Sequence, residues 1–269
     1  MFQKLVLFAL LALVISSCSE FRKVQKSNDW RDKYEAAMKY YEEEDYFKAG
    51  TLFEEIIPII RGTEKAEEAQ YLYAYSQFYQ KKYVLSGHYF QTFYETYNRS
   101  EYAMEALFMH AFSLYQDSPI YNLDQTSTRE AIQSMQLFLN TYPYSKYADK
   151  ANAIIDELRS KLEKKSFENA SLYYDLDRYE AAIIAFENFE REFPDSDYLP
   201  EVRYLKMATE YDYATQSVPA RQRERYLKAI KYYENLIDKH PESEFVKNAE
   251  GMYSTILNKL EEINEQDRS

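Results

Sequence analysis

The hydrophobic positions of this chain recur in a fixed figure. In YEAAIIAFENFEREFPDSDY (Tyr179–Tyr198), Ala182, Phe186 and Phe189 stand at helical spacing and are followed by Pro194, Ser196 and Tyr198. The figure returns as Ala131, Met135, Phe138, Pro143, Ser145, Tyr147 and as Ala229, Tyr233, Leu236, Pro241, Ser243, Phe245, with the proline twelve residues after the alanine each time. Apolar residues three and four apart define one face of a helix. A proline ends the helix before it, because the preceding residue is pushed out of the helical region. A serine ahead of the next helix can offer its hydroxyl to an amide that lacks a helical partner. The pattern predicts an array of short helices.

The helices pair. With Asp29 as N-cap, Trp30 opens a run with Tyr34, Ala37, Tyr40 and Tyr41 on one face; Glu43-Glu44-Asp45 interrupts it, and Tyr46, Ala49, Phe53 and Ile56 form a second face up to Pro58. Ala37 and Ala49 are twelve apart, as are Ala74 and Ser86, and Ala170 and Ala182. Small residues are needed where two helices cross at 8–10 Å between axes. In two further pairs, Ala111/Ala131 and Ala208/Ala229, the interval is longer, and the surplus is assigned to loops over Gln116–Thr128 and Ala214–Gln222. Tyr147–Tyr174 contains no Gly or Pro and predicts one long helix. Glu244–Ile263 carries an apolar stripe of Phe245, Ala249, Tyr253, Ile256, Leu257 and Leu260, fitting the cap that a terminal repeat needs, with a frayed tail after it. Small residues at these two positions, with an aromatic four residues after the second, mark the tetratricopeptide repeat. The expected fold is all-α, a right-handed α-solenoid of about five such hairpins with a C-terminal capping helix. Residues 29–146 carry repeats 1–3; residues 147–269 carry the long linking helix, repeats 4–5 and the cap.

Composition narrows the picture. Among 269 residues there are only four glycines and seven prolines, too few for the turns of an all-β chain. The 29 tyrosines and 16 phenylalanines suit helix interfaces in which a ring packs and a hydroxyl still reaches water. A net charge of −12 speaks against nucleic acid as a partner, since affinity for phosphate backbones rests on Lys and Arg.

The N-terminus reads as a leader. Met1–Ser17 has a basic Lys4 and an apolar run from Leu5 to Ile15, too short to span a bilayer but matching the apolar region of a signal peptide. It ends in Ile15-Ser16-Ser17-Cys18, which resembles the bacterial lipobox, in which the cysteine is lipidated and becomes the new N-terminus. Cys18 is the only cysteine, so no intramolecular disulfide can form. Diacylation at sulfur plus an N-acyl chain exceeds the two signals that stable membrane anchoring needs. Residues 18–28 then read as a lipidated polar tether, and Ser19 in place of Asp is compatible with the outer membrane.

No catalytic chemistry stands out. His88, His110 and His240 lack metal-ligand spacing, the four glycines are too scattered for a phosphate loop, and acidic runs such as Glu64–Glu68 read as solvated helix ends. The expectation is a protein without enzymatic activity, cofactor or metal. What remains is a groove. In this repeat the first helix of each hairpin lines the concave face, which places Tyr34, Met38 and Tyr41, then Tyr71, Tyr75, Phe78 and Tyr79, as candidates for holding an extended peptide against their rings. The alternative for each is packing between neighbouring repeats.

The lipobox, the five hairpins and the Pro-x-Ser-x-Tyr/Phe junctions together resemble the BamD family of outer-membrane assembly lipoproteins. Asp124-Gln125 in an inserted loop, then Ala131, Phe138, Tyr142-Pro143 and Ser145-x-Tyr147, is similar to the family's third repeat. The resemblance implies a lipid-anchored protein on the periplasmic side of the cell outer membrane. It implies docking on the periplasmic domains of a BamA-like barrel through the C-terminal repeats, company with other assembly-machinery lipoproteins, and receipt of unfolded outer-membrane proteins by the N-terminal repeats. Two other readings stay open: a periplasmic repeat adaptor for cell-envelope or peptidoglycan machinery, and an α-superhelical glycan-cleaving enzyme. Glu187, Glu190 and Arg191 are expected on an exposed face.

Overall fold

The computed structural model describes residues 20–266. The leader and Cys18 lie outside the described residues. Among the described residues the structure is helical, with no strand. A short helix, α1, covers positions 20–25. Then follow α2 (Trp30–Glu42), α3 (Tyr46–Ile56), α4 (Ala66–Tyr79), α5 (Tyr83–Thr96), α6 (Ala103–Asp117), α7 (Thr126–Thr141), α8 (Ala148–Asp175), α9 (Tyr179–Glu192), α10 (Leu199–Thr215), α11 (Pro219–Lys239) and α12 (Val246–Gln266). They form five helical hairpins and a closing helix, the tetratricopeptide-like order that the spacing predicts.

The chain divides into two compact units, Met1–Leu158 and Arg159–Ser269, and the division falls inside α8. In the first unit, Tyr34, Ala37, Leu52, Phe53 and Ile56 anchor one apolar cluster, and Phe90, Phe93, Phe108, Met135, Phe138 and Leu158 anchor another. In the second unit, Phe186 and Phe189 pack around Ala170 and Ala182, while Met207, Leu236 and Ile256 gather around Ala229 and Ala249. The small residues sit where sterics require them. Ala37, Ala49, Ala74, Ser86, Ala111, Ala131, Ala170, Ala182, Ala208 and Ala229 are all buried.

The junctions follow one construction. The hydroxyls of Ser100, Ser145, Ser196 and Ser243 accept from the amides of Tyr102, Tyr147, Tyr198 and Phe245 at 3.0–3.3 Å. Each helix then begins at the next residue. Asp29 caps α2 by accepting from the Arg31 amide at 2.9 Å, and Asp45 caps α3 through the Lys48 amide at 3.2 Å. The three hairpins without inserted residues also share a turn. Glu44, Lys81 and Asp177 take positive φ values of 60°, 61° and 55°. The following amides, those of Asp45, Lys82 and Arg178, return to the carbonyls of Tyr40, Gln77 and Tyr173. That pairing closes the helix end with a left-handed residue.

Four expectations need correction. The insertion expected over Gln116–Thr128 is a loop only between α6 and α7, residues 118–125. The loop expected over Ala214–Gln222 is mostly helix: α10 runs to Thr215 and α11 starts at Pro219, so three residues connect them. Proline at the first helical position loses no hydrogen bond and has its φ preset. The tail expected to fray continues as helix to Gln266, and Leu257 of the expected stripe is exposed. The polar tether is helical over positions 20–25, where Phe21 packs edge-on against Tyr40 at 5.8 Å and Gln25 donates to Glu55 at 2.9 Å.

Candidate functional site

The candidate groove residues lie in the first unit, on the first helices of the first two hairpins. They fall into two groups. Tyr34 and Tyr71 are buried, at 7% and 8% exposure, and belong to the apolar clusters between helices. Met38, Tyr41, Tyr75 and Phe78 are half-buried, and Tyr79 is 47% exposed. The second group therefore supplies the accessible surface.

These rings touch in series. Tyr41 meets Tyr46 at 5.4 Å and Tyr79 at 6.5 Å, and Tyr46 stacks on Tyr79 at 4.4 Å. Tyr79 stacks on Tyr75 at 5.7 Å and meets Phe78 edge-on at 5.9 Å. Phe78 stacks on Phe112 of α6 at 5.8 Å, Phe112 on Phe108, and Phe108 on Tyr147 at 4.4 Å. Lys150 sits over the Phe112 ring at 4.0 Å. Offset and edge-on contacts of this kind contribute beyond simple burial. The result is one continuous aromatic array from α2 through α4 to α6, with Tyr79 as its most open member among the named candidates.

Several of the hydroxyls are committed elsewhere. Tyr34 of α2 donates to Glu68 of α4, Tyr75 of α4 to Glu105 of α6, and Tyr115 of α6 to Glu157 of α8. In the second unit Tyr174 of α8 donates to Asp212 of α10 at 2.6 Å. The first helices α2, α4, α6 and α8 thus each hydrogen-bond a tyrosine hydroxyl to a carboxylate on the next first helix. Burial and these carboxylates push the Tyr34 and Tyr75 hydroxyls well above the ordinary tyrosine range. Burial alone raises the Glu105 carboxyl. Hydrogen bonds from Tyr75, Tyr147 and Tyr71, with the Lys146 ammonium nearby, outweigh it and hold the group below the usual range.

This ladder is absent from the sequence expectation. The acids of Glu64–Glu68 do stand at the start of α4, with Glu64 exposed and Glu68 partly so, but Glu67 also accepts from Ser100 and Glu68 from Tyr34. A signal was present: tyrosines and acids on successive first helices recur about one repeat apart. Glu190 is a similar case. It is half-buried and accepts from Arg203 at 3.1 Å and Lys206 at 2.7 Å, which takes it out of the expected exposed face.

His110 is held by the Gly87 carbonyl at 2.9 Å, and His240 contacts Arg203. Among the described residues no group of three or more His, Cys, Asp or Glu is placed to hold a metal. No helix there is long and apolar enough to cross a membrane.

A search among curated proteins finds no match. The family model for YfiO, described as an outer membrane lipoprotein, matches residues 26–201 and again residues 169–264. The two matches overlap on α9 and its flanks, as expected of a chain built from repeats that can satisfy one model in two registers. Together they take in nearly every helix described above, and the chain belongs to the YfiO family of outer membrane lipoproteins.

Proposed function

We propose that this lipoprotein is a non-enzymatic scaffold of the β-barrel assembly machinery, anchored through Cys18 and working on the periplasmic side of the outer membrane. Its first unit receives unfolded outer-membrane proteins. Its second unit docks on the periplasmic domains of a BamA-like insertase, in the company of other assembly lipoproteins. The observation that carries this reading is the aromatic array across α2, α4 and α6. An unfolded barrel protein offers an extended strand that ends in an aromatic residue. A row of half-exposed rings can take up such side chains without fixing their sequence, and tyrosine hydroxyls at its edge can bond the strand's backbone. Membership of an outer membrane lipoprotein family supports this reading, because it associates the chain with the membrane for which such strands are destined.

The test is site-specific photo-crosslinking in cells, with a photoreactive residue at Tyr79 and a second at Leu227 of α11. Tyr79 is expected to capture unfolded barrel proteins, and Leu227 a BamA-like barrel. Depletion is expected to lower barrel proteins in the outer membrane. Normal barrel levels after depletion, with cell-wall synthases in the crosslinks, would overturn the proposal in favour of an envelope adaptor.

A further inference from the structure

Glu210 lies on α10, within the second unit, and is only 5% exposed. Among the described residues its Oε2 has no hydrogen-bond partner. A buried carboxylate oxygen without a hydrogen-bond partner is costly, because it has lost water and gained no donor in its place. Glu210 also lines a pocket of about 490 Å³ between α9, α10 and α11.

The other charged side chains around that pocket have hydrogen-bond, ion-pair or ring partners. On α9, Glu180 accepts from the Tyr213 hydroxyl. On α11, Glu224 receives Lys228 at 3.2 Å and Arg221 at 3.4 Å. Arg225 lies over the Tyr213 ring and donates to Ser217. Glu210 is the charge in the pocket that none of these pairs satisfies. Burial pushes its carboxyl upward; Lys228 and Arg225 oppose that, and Glu224 and Glu180 add to it. The apolar wall is Ile183 and Ile184, and Ile184 is 59% exposed.

We propose that this pocket receives an arginine side chain from a partner protein, with the guanidinium on Glu210 and the alkyl stem along Ile183 and Ile184. An anion is disfavoured, since the three bases already have partners and Glu180 and Glu210 would repel it. Arginine fits better than lysine because its guanidinium is less strongly hydrated and presents a fork of donors to a carboxylate already out of water. The assignment does not depend on which protein supplies the arginine, nor on the role of the aromatic array.

The experiment uses the full-length protein and three small probes: N-acetyl-arginine methylamide, its neutral citrulline counterpart and its lysine counterpart. Backbone NMR shifts of α10 and α11 are followed on titration. The arginine probe is expected to give saturable shifts, the citrulline probe none, and the lysine probe weaker binding. Glu210→Gln keeps the shape and removes the charge, so it is expected to weaken the arginine probe by about tenfold or more. Its thermal midpoint should not fall, because an unpaired buried charge has been removed. Arginine binding should also weaken as pH falls and Glu210 takes up a proton. Absence of saturable shifts, equal binding of citrulline, equal or tighter binding of lysine, or unchanged affinity in Glu210→Gln would each overturn the assignment.

Discussion

Ser86 faces Ala74 across the crossing of α4 and α5, and its hydroxyl donates to the Ala74 carbonyl at 3.1 Å. The same hydroxyl lies 3.2 Å from Ser113 on α6, so one small polar side chain ties a hairpin to the next. Four other hairpins place alanine at this position, which shows that the volume, more than the hydroxyl, is what the crossing requires. Ser86→Ala should therefore change stability by no more than about 1 kcal/mol, the typical net worth of a hydrogen bond. Ser86→Leu must force the helices apart and should cost about 3 kcal/mol or more. Denaturant unfolding followed by hydrogen exchange in α4 and α5 separates the two. A Leu variant as stable as the Ala variant would show that the crossing is not limited by sterics.

The link between Tyr75 and Glu105 gives a pH-dependent prediction. Tyr75→Phe removes the donor, and at neutral pH it should cost about 2 kcal/mol, the net value of a hydrogen bond to a charged group. Glu105 is held below the ordinary carboxylate range in the folded chain. Its contribution is thus complete above the unfolded carboxylate value and is lost as pH falls through the folded one. The gap between wild type and Tyr75→Phe should be widest near neutrality and should narrow in acid. Unfolding curves at about pH 7 and about pH 3 bracket the carboxylate range and check it. A gap that stays constant would mean the hydroxyl acts through packing alone.

How far the fold could be read in advance depended on the kind of constraint. The small residues at the crossings were legible because a steric limit leaves a sequence mark, and all ten of them are buried. The serines of the proline junctions were legible because a chain leaving a proline turn needs an amide acceptor at a fixed offset. The start of α11 was not, because Pro219 looks the same whether it breaks a helix or opens one. The candidate groove was half legible. Periodicity puts Tyr34 and Tyr79 on first helices, but it cannot tell a ring sealed by the next hairpin from one left open. The partners of Glu190 and Glu68 are not legible, because a charge alone says nothing of a partner thirteen or thirty-four residues away.

Lys81 offers a stabilising substitution. It sits at φ 61° in the turn between α4 and α5 and is exposed. An L-residue with a side chain pays for the left-handed region in strain, about 1 kcal/mol, and glycine does not. Lys81→Gly should raise stability, by less than that amount because glycine also enlarges the unfolded ensemble. Asp177→Gly in the turn between α8 and α9 should gain less, since Asp tolerates this conformation and Asp177 also accepts from Tyr179 at 2.7 Å. Thermal midpoints of the two variants test the order, and a larger gain at Asp177 would contradict it.

The last prediction concerns Glu190 and Lys206. The Lys206 side chain is 8% exposed, its ammonium lies 2.7 Å from Glu190, and it also sits 4.5 Å over the Tyr232 ring. Arg203 shares the same carboxylate and reaches His240, whose imidazole is pushed down by burial and by Arg203. Glu190→Ala would leave two cations facing each other with no counter-charge, one of them out of water. Removing one partner of such a pair typically costs about 3 kcal/mol or more. Lys206→Met should be far milder, because it removes the buried charge together with its need for a partner and keeps the stem's volume. Combined with Glu190→Ala, Lys206→Met should recover much of the loss, since the stranded ammonium is gone. Unfolding of the two single variants and the double variant closes a thermodynamic cycle. A double variant no more stable than Glu190→Ala would place the cost on Arg203 and His240 instead of on Lys206.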